Sequence, residues 1–322
     1  MDWEKFKAKQ QWAGEAKPSM KRRRVGHDYL GRCIYMLTLV VDQRRNLLGH
    51  ITGNGEDDPA MMHLSPLGEA VSDAVLGITG YYPAIEILAH QLMPDHLHIV
   101  LFVHERLPVH LGQVINGFKV GSNRVYRSLG LNTDLPSLWE EGFNDIILEQ
   151  EGQLKRMKSY VRDNPRRFAL KGAHPDLFKV QRDIQVGDYT FAALGNIFLL
   201  DAPQLIQVQC SRNITSEQLA AQRDYCLRQA ENGAVIVSPS ISPGEKNILR
   251  AVFEAGFPTI ILQENGFAPL AKPGGKRFDA CAQGRLLMLA PWEHHNRDIA
   301  IKRDQCLTLN QMAWAICNQQ RP

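Results

Sequence analysis

His96 and His98 are separated by a single residue, Leu97, inside the apolar run 91–103. On an extended strand successive side chains alternate faces, so the two imidazoles project to one side and Leu97 to the other. That geometry suits two ring nitrogens on one metal ion. Further along, Tyr160 and Asn164 stand four residues apart, and on a helix such positions share a face. Two nitrogen ligands, an amide oxygen and a phenol can then converge, a set fitted to Lewis-acid and nucleophilic chemistry. Each feature alone has a plainer explanation. A lone His-x-His is equally two solvated or hydrogen-bonded histidines, and a lone tyrosine on an amphipathic helix is usually packing.

These residues need a strand and a helix to position them, and the hydrophobic periodicity supplies both. Residues 33–41 (CIYMLTLVV) read as a buried strand ending at the polar turn Asp42-Gln43-Arg44-Arg45-Asn46. Residues 67–76 read as a helix, 82–90 as a strand, 111–129 as a helix stopped by Gly130, 138–148 as a short returning strand and 153–163 as a second helix. This order predicts an α+β layer with helices on one side of an antiparallel sheet. Pro165 disfavours helical geometry at Asn164 and so predicts that Asn164 ends its helix. Asp95, just before His96, reads as a turn residue at the strand entrance in preference to a partner that orients His96.

From about residue 173 the pattern changes. Strand-like segments at 197–200, 205–209, 234–237, 259–262 and 285–290 alternate with helical ones at 216–231, 245–255 and 299–316. Such alternation predicts a parallel, Rossmann-like α/β sheet. Two domains follow, 1–172 and 173–322. In the second, Ser238-Pro239-Ser240-Ile241-Ser242-Pro243-Gly244 leads into a helix whose N-terminus could receive a phosphate, although a tight polar turn is the plainer reading. The loop Lys272-Pro273-Gly274-Gly275-Lys276-Arg277 reads as flexible and basic, and His294-His295 as surface.

Composition narrows the classes. In 322 residues, 37 Lys and Arg oppose 34 Asp and Glu, a net charge of +3 that neither demands nor excludes a nucleic-acid partner. The six cysteines show no CxxC pair, so neither a zinc module nor a disulfide framework is indicated, and a reducing cytoplasm is the simplest compartment. The first twenty residues lack the apolar region of a secretory signal, and no apolar stretch approaches the ~20 residues of a membrane span. The basic run Lys21-Arg22-Arg23-Arg24 reads as a solvated lead-in or as an arm for phosphates.

Three segments in one order resemble the single-tyrosine HUH transposases, above all those associated with repetitive extragenic palindromes. They are Met93-Pro94-Asp95-His96-Leu97-His98-Ile99, Leu138-Trp139-Glu140-Glu141-Gly142-Phe143-Asn144-Asp145 and Tyr160-Val161-Arg162-Asp163-Asn164-Pro165. The resemblance covers roughly residues 30–170 and implies a ferredoxin- or RRM-like HUH fold. It also implies Tyr160 as a nucleophile that stays attached to a 5′ phosphate, and magnesium or manganese held by His96, His98 and Asn164. The partner would be single-stranded or hairpin DNA, handled by a monomer or a homodimer. Lys119, Arg124 and Arg127 on one helix, and Arg156, Lys158, Arg162, Arg166 and Arg167 around the tyrosine, are the candidate DNA-backbone contacts. The second half only loosely resembles the Rossmann-like domain of DNA-processing A proteins. Alternatives are a domesticated DNA-hairpin-binding regulator without cleavage, and a nucleotide-dependent activity in residues 173–322.

Overall fold

The computed structural model describes residues 24, 26–131, 135–211, 213–296 and 300–318. The chain divides into two compact units, Met1–Leu170 and Lys171–Pro322. Of the basic run at 21–24 only Arg24 lies among the described residues, and its guanidinium is 2.6 Å from Glu149.

In the first unit the strands β1 (Cys33–Val40), β4 (Ile85–Met93), β5 (His96–Val103) and β6 (Asn144–Ile147) form an antiparallel sheet in the order β4-β5-β1-β6. A separate hairpin joins β2 (Gly49–Thr52) to β3 (Met61–Leu64). Helix α1 (Pro66–Tyr81) begins at Ser65, whose hydroxyl accepts from Gly68 N. Helix α2 (Leu111–Ser128) begins at a capping box between His110 and Gln113.

Alternation along β1 and β5 sorts the residues onto two faces. Tyr35, Leu37, Leu39, Leu97, Ile99 and Leu101 turn to one side and pack with Val71 and Val75 of α1 and Val114, Ile115 and Phe118 of α2. Met36 and Val100 turn to the other, where Val161 of helix α3 (Gln153–Ala173) covers them together with Leu154 and Met157. The expectation of helices on one side is therefore corrected. The α3 face carries the histidines, because His96 and His98 have the parity of Val100 and not of Leu97.

Helix α3 also corrects the expected end at Asn164, since it continues through Pro165 to Ala173. An interior proline costs roughly 3 kcal/mol. Burial of Val161, Asn164, Pro165 and Leu170 along one stripe, with the Asp163–Arg166 pair at 2.7 Å on the other side, holds the turn together despite the missing donor.

The second unit is a six-stranded sheet in the order β7-β8-β12-β11-β10-β9. Strands β9 (Leu205–Gln207), β10 (Val235–Ser238), β11 (Thr259–Leu262) and β12 (Leu286–Ala290) are parallel. An antiparallel pair, β7 (Gln181–Val186) and β8 (Tyr189–Gly195), extends the β12 edge. Helices α4 (Ser216–Glu231), α5 (Pro243–Glu254) and α6 (Lys276–Ala282) share one core with Ile236, Ile261 and Met288. Helix α7 (Arg303–Cys317) closes the other core, with Val235, Val237, Ile260 and Leu287. Strands buried on both faces read as unbroken apolar runs, which is why β10 to β12 were legible.

Residues 197–200, expected as a strand, form a 3-10 turn instead: Asn196 accepts from Phe198 N, and the Phe198 ring is 75% exposed. Strand β7 escaped the sequence reading because polar residues such as Gln181, Arg182 and Gln185 interrupt it, and β8 (Tyr189–Gly195) went unread with it.

Candidate active site

Helix α3 lays Tyr160 against the histidine face of the sheet. The Tyr160 and His98 rings lie 5.8 Å apart between centroids, edge to face, and the His98 and His96 rings 4.8 Å apart. His98 is buried, whereas Tyr160 is 36% exposed and open to an incoming strand. Asn164, one turn along from Tyr160, is buried and donates from its amide nitrogen to the Tyr160 carbonyl at 3.0 Å. That bond leaves the amide oxygen as the Asn164 group to offer a cation.

Both imidazoles are oriented from behind. Thr38 Oγ1, on the neighbouring strand and in register with His98, lies 2.9 Å from His98 Nδ1. Asp95 Oδ1 lies 2.6 Å from His96 Nδ1. With each Nδ1 engaged, a metal bound by these rings would take Nε2, the arrangement by which outer partners set tautomer and basicity. Asp95 is thus both the turn residue expected and, contrary to the reading preferred from sequence, the partner of His96. Burial works to raise its carboxyl, but the hydrogen bond and charge of His96, and then those of Arg44, outweigh burial and hold it at about 2. Among the described residues no three His, Cys, Asp or Glu side chains converge. A cation here would rest on two imidazoles and one neutral amide, with its remaining positions for water and substrate oxygens.

A cavity of about 370 Å3 adjoins these groups. His98, Tyr160, Thr38, Arg44, Glu140 and Asn144 give it polar walls, and Met36, Val40, Phe143, Ile146 and Met157 apolar ones. The segment 138–145 forms its rim. Trp139 is buried, bridges to Val41, and donates from its indole to Ser122 Oγ at 2.7 Å. Gly142 takes a φ of 75° that favours glycine. Asp145 accepts from Tyr29 OH at 2.7 Å, on the core side of the sheet. These contacts build the rim.

The eight candidate DNA contacts fall into distinct groups. Lys119 Nζ donates to the carbonyls of Glu140, at 2.7 Å, and Gly142, and so helps to fasten the rim. Arg124 and Arg127 are exposed on α2, on the opposite face of the sheet from Tyr160. Arg156 and Arg162 are exposed and Lys158 half-buried on α3 itself. Arg166 is paired with Asp163, and Arg167 lies over the Tyr160 ring at 5.4 Å. Of these eight, Arg167 is the one the described contacts place against Tyr160.

In the second unit, the helix N-terminus read as a polar turn that could receive a phosphate holds a carboxylate of its own. Glu245, buried, accepts from Cys210 N, Ile241 N and Ser242 N at 3.2, 2.7 and 3.1 Å. The basic loop at 272–277 is likewise engaged: Lys272 Nζ donates to the Phe178 carbonyl, and Lys276, which opens α6, pairs with Glu254 at 3.0 Å. His295 contacts Glu264 at 3.0 Å, and His294 contacts Asn265 at 3.1 Å, so both join the loop after β11. No helix among the described residues is long and apolar enough to cross a membrane.

Comparison with known proteins finds similarity over part of the chain. An uncharacterized protein of Haemophilus influenzae is 23% identical over 159 residues, covering 43% of this chain and 83% of that protein. The solved structure of a REP-associated tyrosine transposase bound to a REP hairpin aligns over 45% of this chain and 73% of its own, with 16% identity and a TM-score of 0.33. DNA processing protein A of Helicobacter pylori, solved for its single-stranded DNA binding mode, aligns over 40% of this chain and 57% of its own, with 21% identity and a TM-score of 0.31. Residues 73–164 match the family described as "Transposase IS200 like". That segment, which holds the histidine strand and the tyrosine turn of α3, is what this chain shares with the IS200-like transposases.

Proposed function

We propose that the first unit is a divalent-metal-dependent strand transferase that nicks and rejoins single-stranded or hairpin DNA through Tyr160. One observation carries this reading: His96, His98 and Tyr160 meet on one face, with both Nδ1 atoms engaged from behind. A magnesium or manganese ion held by His96, His98 and Asn164 would polarise the scissile phosphate. The Tyr160 oxygen, its proton released to solvent, forms a bond to phosphorus while the bond to the 3′ oxygen breaks. That oxygen leaves with the electron pair and takes up a proton. The phosphotyrosine keeps the energy of the broken bond, so a 3′ hydroxyl can reverse the step without ATP. Arg156, Lys158 and Arg162 lie along the helix that carries the tyrosine and would hold the backbone by charge, so affinity falls as salt rises. The remaining residues, 171–322, form a Rossmann-like accessory domain in this reading.

The test uses the full chain with a pool of hairpin oligonucleotides bearing randomised single-stranded flanks, in magnesium or manganese. A denaturation-resistant protein–DNA adduct is expected with the wild type and not with Tyr160→Phe. His96→Ala and His98→Ala should lose the adduct yet retain most of the salt-sensitive binding. Binding without any adduct, or an adduct with Tyr160→Phe, refutes the proposal and favours a non-cleaving hairpin-binding protein.

A further inference from the structure

Two adjacent arginines follow β1, and the fold uses them differently. Arg45 is spent on structure: its guanidinium donates to the carbonyls of Asp42 and Ser137 and to Tyr126 OH, at 3.1, 3.3 and 3.0 Å. Among the described residues Arg44 donates once, from Nη1 to Asp95 Oδ2 at 3.0 Å, and its side chain is 56% exposed. It is the sole Lys or Arg among the described residues lining the cavity that also holds His98 and Tyr160. An arginine carries five donors in a planar fork matched to phosphate oxygens.

The backbone beneath Arg44 is unusual. Gln43 and Arg44 take φ values of 57° and 52°, consecutive left-handed residues neither of which is glycine. Such conformations persist only where surrounding contacts enforce them, and they gather at functional sites. Here the contacts are Arg44 N to the Val41 carbonyl at 2.8 Å and Val41 N to the Asp95 carbonyl at 2.9 Å. The turn is thereby fastened to the residue that orients His96. It delivers a guanidinium to the cavity rim at a fixed distance from the imidazole strand, where a flexible polar turn would leave it in solvent.

We infer that Arg44 is a catalytic residue, whose unused guanidinium donors grip a non-bridging oxygen of the scissile phosphate while Nη1 keeps it tethered to Asp95. The inference rests on the strand-transfer reading above. The tether has a purpose: phosphate contact and His96 orientation share one carboxylate, so a strand seated on Arg44 meets an imidazole already aligned. Glu140 is the sole carboxylate on the cavity wall among the described residues, and a phosphate drawn in beside it needs a cation to offset that charge. Lys119, whose Nζ donates to the Glu140 and Gly142 carbonyls, is not among the residues lining the cavity.

The experiment measures single-turnover adduct formation on an oligonucleotide recovered with the wild-type chain, made in two forms. One has the natural linkage at the cleaved position, the other a neutral methylphosphonate there. On the natural linkage Arg44→Ala should slow adduct formation by roughly 10²–10³-fold, the loss seen when one donor to a developing oxyanion is removed. Arg44→Lys should recover part of that rate. On the methylphosphonate, which lacks the gripped charge, the loss for Arg44→Ala should shrink to within about threefold, a collapse that a merely structural role cannot produce. Equal losses on both linkages would mean that Arg44 acts only through Asp95 and would overturn the inference, as would a natural-linkage rate for Arg44→Ala within threefold of wild type. Should Arg44→Ala fail to fold, Arg44→Gln is judged by the same criteria. An inactive wild type would instead sink the strand-transfer reading itself, so the two failures are distinguishable.

Discussion

Thr38→Val isolates the support behind His98. Valine keeps the β-branched shape and the strand preference of threonine, so β1 retains its pairing with β5 and β6 and only the hydroxyl is lost. That hydroxyl lies 2.9 Å from His98 Nδ1 in a half-buried setting. A neutral hydrogen bond contributes about 0.5–1.5 kcal/mol to folding, so the melting transition should move little. The effect on function should be larger. Loss of a partner that fixes the tautomer and ring orientation of a metal-ligating histidine typically costs about 10–100-fold in metal affinity or activity, or roughly 1.4–2.7 kcal/mol. We expect adduct formation by Thr38→Val to require about 10–100-fold more manganese at half-saturation, with hairpin binding unchanged in the absence of metal. A manganese titration of adduct yield at fixed DNA, beside a urea melt, measures both terms. Coincident titration curves for variant and wild type would refute the argument that the Nδ1 contact prepares Nε2 for ligation. So would a stability loss above about 3 kcal/mol, which would mean that the hydroxyl holds the sheet and not the ring.

Three further outcomes concern the scaffold. Trp139→Phe removes the 2.7 Å bond to Ser122 and leaves a void under the cavity rim, and should cost about 2–3 kcal/mol in denaturant unfolding; no change in midpoint would contradict the anchoring role. Glu245→Ala leaves three backbone amides of the second unit without their carboxylate, and should cost about 2–4 kcal/mol in the thermal transition of that unit, a prediction that fails if the variant melts as the wild type does. Burial pushes the Cys226 thiol to about 11 and the Cys281 thiol to about 12. Both should resist a maleimide at pH 8 in the folded protein, and their contribution to stability, complete below the ordinary thiol range near 9, should fade as pH rises from about 9 towards 12. Rapid native-state labelling of either thiol would show that it is not shielded.

The candidate site was legible because its parts are local patterns. Parity on one strand placed His96 beside His98, and spacing on one helix placed Asn164 beside Tyr160, and both follow from chain geometry alone. The parallel strands β10 to β12 were legible for a similar reason, since burial on both faces leaves an unbroken apolar run. What failed locally was the end of α3. Pro165 signals a stop, yet a stripe of buried side chains carries the helix on to Ala173, because packing gain exceeds the loss of one donor.

Polar side chains were the least legible, because the partner that claims a charge lies far along the chain. Lys119 looked like a DNA contact and is bound to carbonyls 21 and 23 residues away. Arg44 and Arg45 looked alike in a polar turn, until contacts 81 and 92 residues distant claimed Arg45 and left Arg44 at the cavity. Asp95 looked like a turn residue, and its carboxylate proved to be shared between His96 and Arg44. By itself, then, the sequence determined which residues share a strand face or a helix face, since those periods belong to the backbone. Tertiary structure alone decided that α3 lies on the histidine face and which cations remain for a substrate, since both depend on long-range burial and on who reaches each charge first.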